Sequence, residues 1–430
     1  MLKKLALALA VVALVALAGQ YFTYQQYQAQ LKQRLTQLQQ QSAWRFQVEQ
    51  RSGNVWQAQE HWLVQVQLSD LGLHAEDFGL SNDILSLHLN HQLTVLPFYL
   101  SGQWQLDPTQ GDYQQWLQRW QLDEIGHQGS WQANLLSQTL HQQLNIAAFH
   151  HQDENTELNV EPLQLSSHSD LNFRQGELSL EWQGMHIEDK QDLGDSVKLG
   201  RVSMQQQFSQ RQSWHLVEAA SWSIEALDIR FKHATEQLSL QQLKAEHKLV
   251  EQQQKAYLAM DLSLQHLALQ QQQQGLTMQQ LQVQSQLGGM PMQDLVALAE
   301  AKQQRANEAQ LDNLLQQAFA EGLDWQFQQL AVELDSNYPS LQLQGDLKLS
   351  GQAKLLPLQF NELRSPLQLL RYLELNLDID ASDQLLANDK LAVYVLALRQ
   401  AGYLKHQQGR DKTRLIFNDS EFTMNNLAVN

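Results

Sequence analysis

Leu373-Glu374-Leu375-Asn376-Leu377-Asp378-Ile379-Asp380 alternates apolar and polar residues without a break. Successive side chains of a strand point to opposite faces, so this octet predicts a strand with one face buried and the other wet. A one-residue slip would bury the acids, so the alternation specifies register as well as facing. The same pattern recurs outward from it. Leu85, Leu87, Leu89, His91, Leu93 and Val95 alternate with Ser86, His88, Asn90, Gln92 and Thr94. Trp44, Phe46 and Val48 open the series, and Leu100, Gly102, Trp104 and Leu106 extend it. From Leu158 to Leu287 the pattern persists, as in Leu178-x-Leu180-x-Trp182 and Leu258-x-Met260-x-Leu262-x-Leu264, and it resumes at Trp325. The fold class that follows is mainly β with helices (α+β), built of extended, curved antiparallel sheets. Their Leu-rich faces can be buried in a two-sheet stack, covered by helices, or left partly open as a groove.

Helices interrupt the strands at a few points. Asp107-Pro108 is a helix-start signal before Tyr113, Trp116, Leu117 and Trp120, which share a face. Asn134–Leu144 reads as a second short helix. Gly288-Gly289 breaks the strand series, and Pro291 opens a long helix or helix pair over 291–321, ended by Gly322. The centre of that stretch, Lys302 to Asn307, is polar on all faces. A further helix is predicted over 383–401. The Gln270–Gln274 run reads as a turn tip, and Asn418-Asp419 as the turn of a closing hairpin with Leu415 and Phe417 before it and Phe422 and Met424 after.

At the other end of the chain, Leu5 to Gly19 is an unbroken apolar run. Lys3 and Lys4 precede it, and no Lys or Arg follows until Lys32. Such a flank stays in the cytoplasm, so the run predicts a single-pass inner-membrane protein with its C-terminal body in the periplasm. Ala16-Leu17-Ala18 before Gly19 fits a cleaved signal. Tyr21, Phe22, Tyr24 and Tyr27 fit a retained anchor with an aromatic interface, and a helix from Leu5 to Tyr24 would rise about 30 Å, enough to span. Tyr24, Leu31, Leu35 and Leu38 then recur at helical spacing, either as a helix lying on its own domain or as a stalk whose short leucine seam permits a homodimer. The organisation expected is a signal-anchor helix over 1–24, a membrane-proximal helix over 25–41, a β-rich periplasmic body over 42–287, and a helix-plus-strand part over 288–430.

Composition narrows the function classes. The 430 residues include no Cys, which excludes disulfides, thiolate metal sites and Cys nucleophiles. A formal charge of −17 argues against nucleic acid as a partner. Glutamine supplies roughly one residue in six, but it alternates with Leu, Val, Ile and Trp and so belongs to strand faces, not to a disordered tract. No G-x-S-x-G, HExxH, P-loop or G-x-G-x-x-G occurs, and the expectation is no catalysis, no cofactor and no metal. His150-His151 would face opposite ways on a strand, a poor chelate. His91 falls in the apolar phase of its strand, as a hydrogen-bonded core or rim histidine would. Asp153-Glu154 and Glu188-Asp189 read as solvated loop charge. Asp378 and Asp380 share one strand face and offer at most a weak hard-cation pair.

The two ends carry a family resemblance. The signal-anchor ends in aromatics, and the helical segment ends in Gly322 before paired strands. Last come a helix with Gly402-Tyr403 and a hairpin reading Phe417-Asn418-Asp419-Ser420-Glu421-Phe422-Thr423-Met424-Asn425. In these features the chain resembles the YdgA-like proteins, inner-membrane-anchored envelope proteins of Gram-negative bacteria with no settled biochemical role. The resemblance implies no catalytic residues. It implies a non-catalytic envelope protein with a scaffold or interaction role, whose partners are the inner membrane and envelope proteins. The alternative is a lipid-handling protein that uses a Leu-rich sheet face as an acyl-chain groove.

Overall fold

A computed structural model describes residues 18–29, 44–72, 74–75, 80, 82–190, 195–211, 214–231, 235–303, 307–338, 341–358, 370–387, 389–418 and 421–429. By their contacts these residues form two compact units, one over 1–153 and 157–182, the other over 154–156 and 183–430. The expected boundary at 287/288 falls inside the second unit, because the strand Gln274–Pro291 continues past Gly288 and Gly289 with only a register shift there.

The first unit is an antiparallel meander of β1 (Trp44–Gly53), β2 (Gln57–Gln67), β3 (Ile84–Leu96), β4 (Tyr99–Leu106), β5 (His127–Asn134) and β6 (Thr139–Ile146). A short hairpin of β7 (Phe149–Gln152) and β8 (Thr156–Val160) leads to β9 (Leu163–Asp170), which pairs with β6, and β10 (Gln175–Trp182), which pairs with β9. Two helices lie on one face. α1 spans residues 18–29, and α2 (Gly111–Arg119) buries Tyr113 and Leu117 against Ile125, Leu87 and Leu106. Tyr27 of α1 joins Ala58, Leu93, Val95, Leu100 and Ala133 in the main core.

The second unit is a longer meander. β11 (Met185–Asp189) pairs with β12 (Ser196–Leu199), and β12 and β13 (Val202–Arg211) lie end to end along β14 (Trp214–Phe231). β15 (Glu236–Gln252), β16 (Lys255–Gln271), β17 (Gln274–Pro291), β18 (Leu323–Tyr338), β19 (Leu341–Leu355) and β20 (Leu373–Ser382) follow in order, all antiparallel. Beyond them come β21 (Lys405–Gln407) and β22 (Arg410–Asn418), then β23 (Glu421–Met424) and β24 (Leu427–Ala428). The Gln-rich run is a turn, with Gln271 paired to Gln274 across Gln272 at φ 56°. The closing hairpin has the expected register, Leu415 opposite Met424 and Phe417 opposite Phe422.

Three expectations change. Asn134–Leu144 is the β5–β6 hairpin, not a helix: the Asn134 carboxamide oxygen accepts from the amides of Leu136 and Ser137, a local bond that starts a turn and competes with helix. Of the two alternatives for 291–321 the structure has the pair, α3 (Met292–Gln303) and α4 (Glu308–Phe319), but Pro291 ends β17 instead of opening the helix. Asn307 and Gln310 close a capping box at the start of α4, which explains the polar centre. The helix over 383–401 is also two, α5 (Asp383–Leu386) and α6 (Asp389–Gln400). Among the described residues no helix is long and apolar enough to cross a membrane. The first seventeen residues, and with them most of the Leu5–Gly19 run, lie outside those described, as do Leu31, Leu35 and Leu38. What is described of the membrane-proximal helix lies on its own domain.

Candidate functional site

The register of the first unit assembles a polar cluster inside an apolar face. Arg51, Glu60, His91 and Trp104 stand in one row across β1, β2, β3 and β4. Side chains directly opposite share a face, so these four converge. Their neighbours on that face are apolar: Ala58, Trp62, Val64 and Val66 on β2, and Leu87, Leu89, Leu93 and Val95 on β3. The Glu60 side chain is fully buried. Its carboxylate accepts from the Tyr27 hydroxyl (3.3 and 3.2 Å), the Trp62 indole N–H (3.0 Å) and His91 Nδ1 (3.0 Å), and Arg51 Nε lies 3.4 Å away.

The indole N–H of Trp131 donates to His91 Nε2 at 3.1 Å. An indole can only donate, so Nε2 is the bare nitrogen and the ring proton sits on Nδ1, facing Glu60. Both ring nitrogens are therefore engaged. Burial pushes the Glu60 carboxyl up, but the hydrogen bond and electrostatic attraction of His91, then the Trp62 hydrogen bond and the Arg51 charge, outweigh it, and the group lies below the usual glutamate range. Burial, and then the Glu60 charge, push the Tyr27 hydroxyl well above its ordinary value, so it remains a donor. Arg51 also sits over the Tyr24 and Tyr27 rings, 5.7 and 5.8 Å from their centroids.

Two glycines let the indoles lie flat. Gly102 is paired with Trp131 and Gly129 with Trp104, and a Cβ at either would collide with the facing indole. Over this floor opens a cavity of about 1010 Å³. It extends from Phe98, Leu136 and Phe173 at the turns to Leu87 and Leu106 near α2, with Phe22 and Tyr27 of α1 as one wall. Among the described residues its polar lining is Gln26, Gln138, Gln142, Asn172, Tyr27 and His91, with no Lys, Arg, Asp or Glu. That volume is at the upper end of ordinary small-ligand pockets, and its walls are mostly apolar.

His91 is thus the sequence candidate that the fold places at a site, as a buried, doubly bonded histidine. Glu60 was not singled out, although Ala58-x-Glu60-x-Trp62-x-Val64-x-Val66 puts it in the apolar phase as plainly as His91. The other candidates stay apart. His150 is exposed and bonded to Asn159, while His151 is buried against Trp120 with Asp153 3.3 Å from Nε2. Asp153 and Glu154 stand in the β7–β8 turn, whereas Glu188 and Asp189 end β11 instead of forming a loop, with His186 3.7 Å from Glu188.

Asp378 and Asp380 are held by arginines. Arg414 makes two bonds to Asp378 (2.7 and 2.8 Å), and Arg410 bonds both Asp380 and Asp346. The Arg410 hydrogen bond holds the Asp346 carboxyl below its usual range, as Arg414 does for Asp378. Asp383, His406 and Asp411 also converge closely enough for a metal, but Arg399 donates to both carboxylates and supplies the positive charge there. The Asp378, Asp380 and Asp346 arrangements read as cross-strand ion pairs, and the Arg399 one as an ion pair tying α6 to α5 and β22.

A family model described as a bacterial protein of unknown function (DUF945) matches residues 1–426. No curated protein and no solved structure matches the chain.

Proposed function

The chain belongs to the DUF945 family of bacterial proteins of unknown function, and from that premise we propose that it is a non-catalytic, membrane-anchored envelope protein that holds the apolar chain of a lipid in the groove of its first unit. The groove carries this reading. A scaffold has no need of a large open apolar cavity, whereas an acyl chain needs one free of charge, since an unpaired ion in such a site is costly. The absence of catalysis is supported by the floor of the groove. His91 has its two nitrogens taken by Glu60 and Trp131, which leaves it no free nitrogen to act as a general base. The apolar run after Lys3-Lys4 and the resemblance to YdgA-like proteins support a single pass through the inner membrane with the body in the periplasm.

Native mass spectrometry of the gently purified full chain tests this. Lipid should co-purify, and Phe46→Glu, on the edge strand β1 and in the groove wall, should fold with a melting temperature near that of the parent while losing most of it. A parent protein free of lipid would sink the proposal. So would a Phe46→Glu variant that unfolds, since the groove would then be a closed core.

A further inference from the structure

Four connections of the first unit lie at one end of its sheet: β1–β2 (54–56), β3–β4 (97–98), β5–β6 (135–138) and β9–β10 (171–174). The register places them together, since Gly53 pairs with Ala58, Leu96 with Tyr99, Asn134 with both Tyr99 and Thr139, and Thr139 with Asp170. None contains an acidic residue, in a chain of formal charge −17; the ionic side chains at them are Arg174 and that of Asp170, the last residue of β9, whose carboxylate accepts from the turn amides of Asn172 and Arg174. Val55, Trp56, Leu96 and Leu136 are exposed there, Leu136 at 73%. The connections at the opposite end differ: 107–126 carries Asp107, Asp112, Asp123 and Glu124, and Asp70 and Asp83 stand at the two ends of the β2–β3 connection.

Helix α1 begins at the same end. Gln20 Nε2 donates to the carbonyls of Val55 (2.7 Å) and Val95 (2.8 Å), and Thr23 Oγ1 accepts from the amide of Phe98 (2.7 Å). Gly19 lies against the Phe98 ring and Pro97. Tyr21, 68% exposed, and Phe22 project beside them. The apolar run from Leu5 therefore enters the described fold at this end. Backbone geometry adds a separate observation. Phe98 and Phe173 both take φ near 55–60° at turn positions where Gly or Asn would be cheaper. Phenyl groups at such positions carry a conformational cost that Gly or Asn would not.

We infer that this end of the first unit rests in the interfacial layer of a lipid bilayer, so that the turns form a second membrane contact beside the N-terminal run. Trp, Tyr and Phe suit that layer, with an apolar body below and polar tips in the headgroups, and Arg174 can meet lipid phosphates. The cavity is lined at this end by Phe22, Phe98, Leu136 and Phe173, so it opens where a chain would leave the bilayer. The inference deepens the proposed function but depends only on its membrane placement, not on lipid occupying the groove.

The absence of Cys makes the test direct. Full-length chain carrying a single spin label at Val55→Cys, Leu136→Cys or Asp123→Cys is placed in phosphatidylethanolamine–phosphatidylglycerol vesicles. Collision with oxygen, which prefers lipid, is compared with collision with a water-soluble nickel chelate. The oxygen-to-nickel ratio should be several-fold higher at 55 and 136 than at 123, an exposed position at the opposite end. Equal ratios at all three would overturn the inference. Immersed turns in a protein that carries no lipid would uphold it and reject the groove. Bound lipid with water-exposed turns would do the reverse.

Discussion

Glu60 shows how a strand row turns into a site. It stands where β2 needs an apolar residue, and the fold tolerates it by aiming four donors at one carboxylate. Glu60→Gln keeps the shape but turns an amide N–H₂ toward those donors. It should destabilise the protein by about 3 kcal/mol, read as a shift in the urea midpoint. Glu60 is also a pH-dependent term. Its folded pKa lies below the unfolded value, so its stabilisation is present above the unfolded pKa and fades as pH falls through the folded one. The parent should therefore lose stability below about pH 5 more steeply than Glu60→Gln. Parallel pH profiles for the two proteins would remove Glu60 from the account. His91 was legible from its phase alone; its bond to Trp131 was not, because that contact requires β4 to present Gly102 between them.

At the scale of elements, alternation found most of the strands and failed where local chemistry competes. The Leu373–Asp380 octet is the instructive case. It forms β20 in the expected register, with Leu375 between Ala353 and Phe417. Its polar side is not uniformly wet: Asp378 is exposed, but Glu374, Asn376 and Asp380 are half-buried. Asn376 Oδ1 is removed from solvent with no hydrogen-bond donor. On a wet face Asn376→Asp would change stability by less than about 0.5 kcal/mol. Here the charge would arrive without a partner, and a loss of about 1–3 kcal/mol is expected from urea melts. Leu375→Asp, on the half-buried apolar face, should cost at least as much. A neutral Asn376→Asp would mean that this face is hydrated after all. The apolar spacing over 291–321 allows one helix or two, and the capping box at Asn307, which periodicity does not weigh, decides for two.

For the whole molecule, sequence reading reached the class of fold and stopped short of the groove. A cavity depends on which strand rows become neighbours and on which stretch of the face a helix covers, and neither is encoded in the period of any one strand. The tyrosines after the apolar run show the same limit. Tyr24 and Tyr27 look like a membrane-interface belt in sequence, yet both pack on the sheet, Tyr27 stacked on Trp131, while Tyr21 and Phe22 remain exposed. Orientation across the membrane is a different kind of property, carried by charge. Lys3 and Lys4 are the only basic residues before Lys32, and short flanks rich in Lys stay cytoplasmic. A reporter active only in the cytoplasm, fused after Asn430, should therefore be silent, and one active only in the periplasm should be bright. Replacing Lys3 and Lys4 by Gln should weaken that bias and raise the cytoplasmic signal. A bright cytoplasmic reporter on the parent chain would invert the topology and remove the periplasmic body on which the proposed function stands.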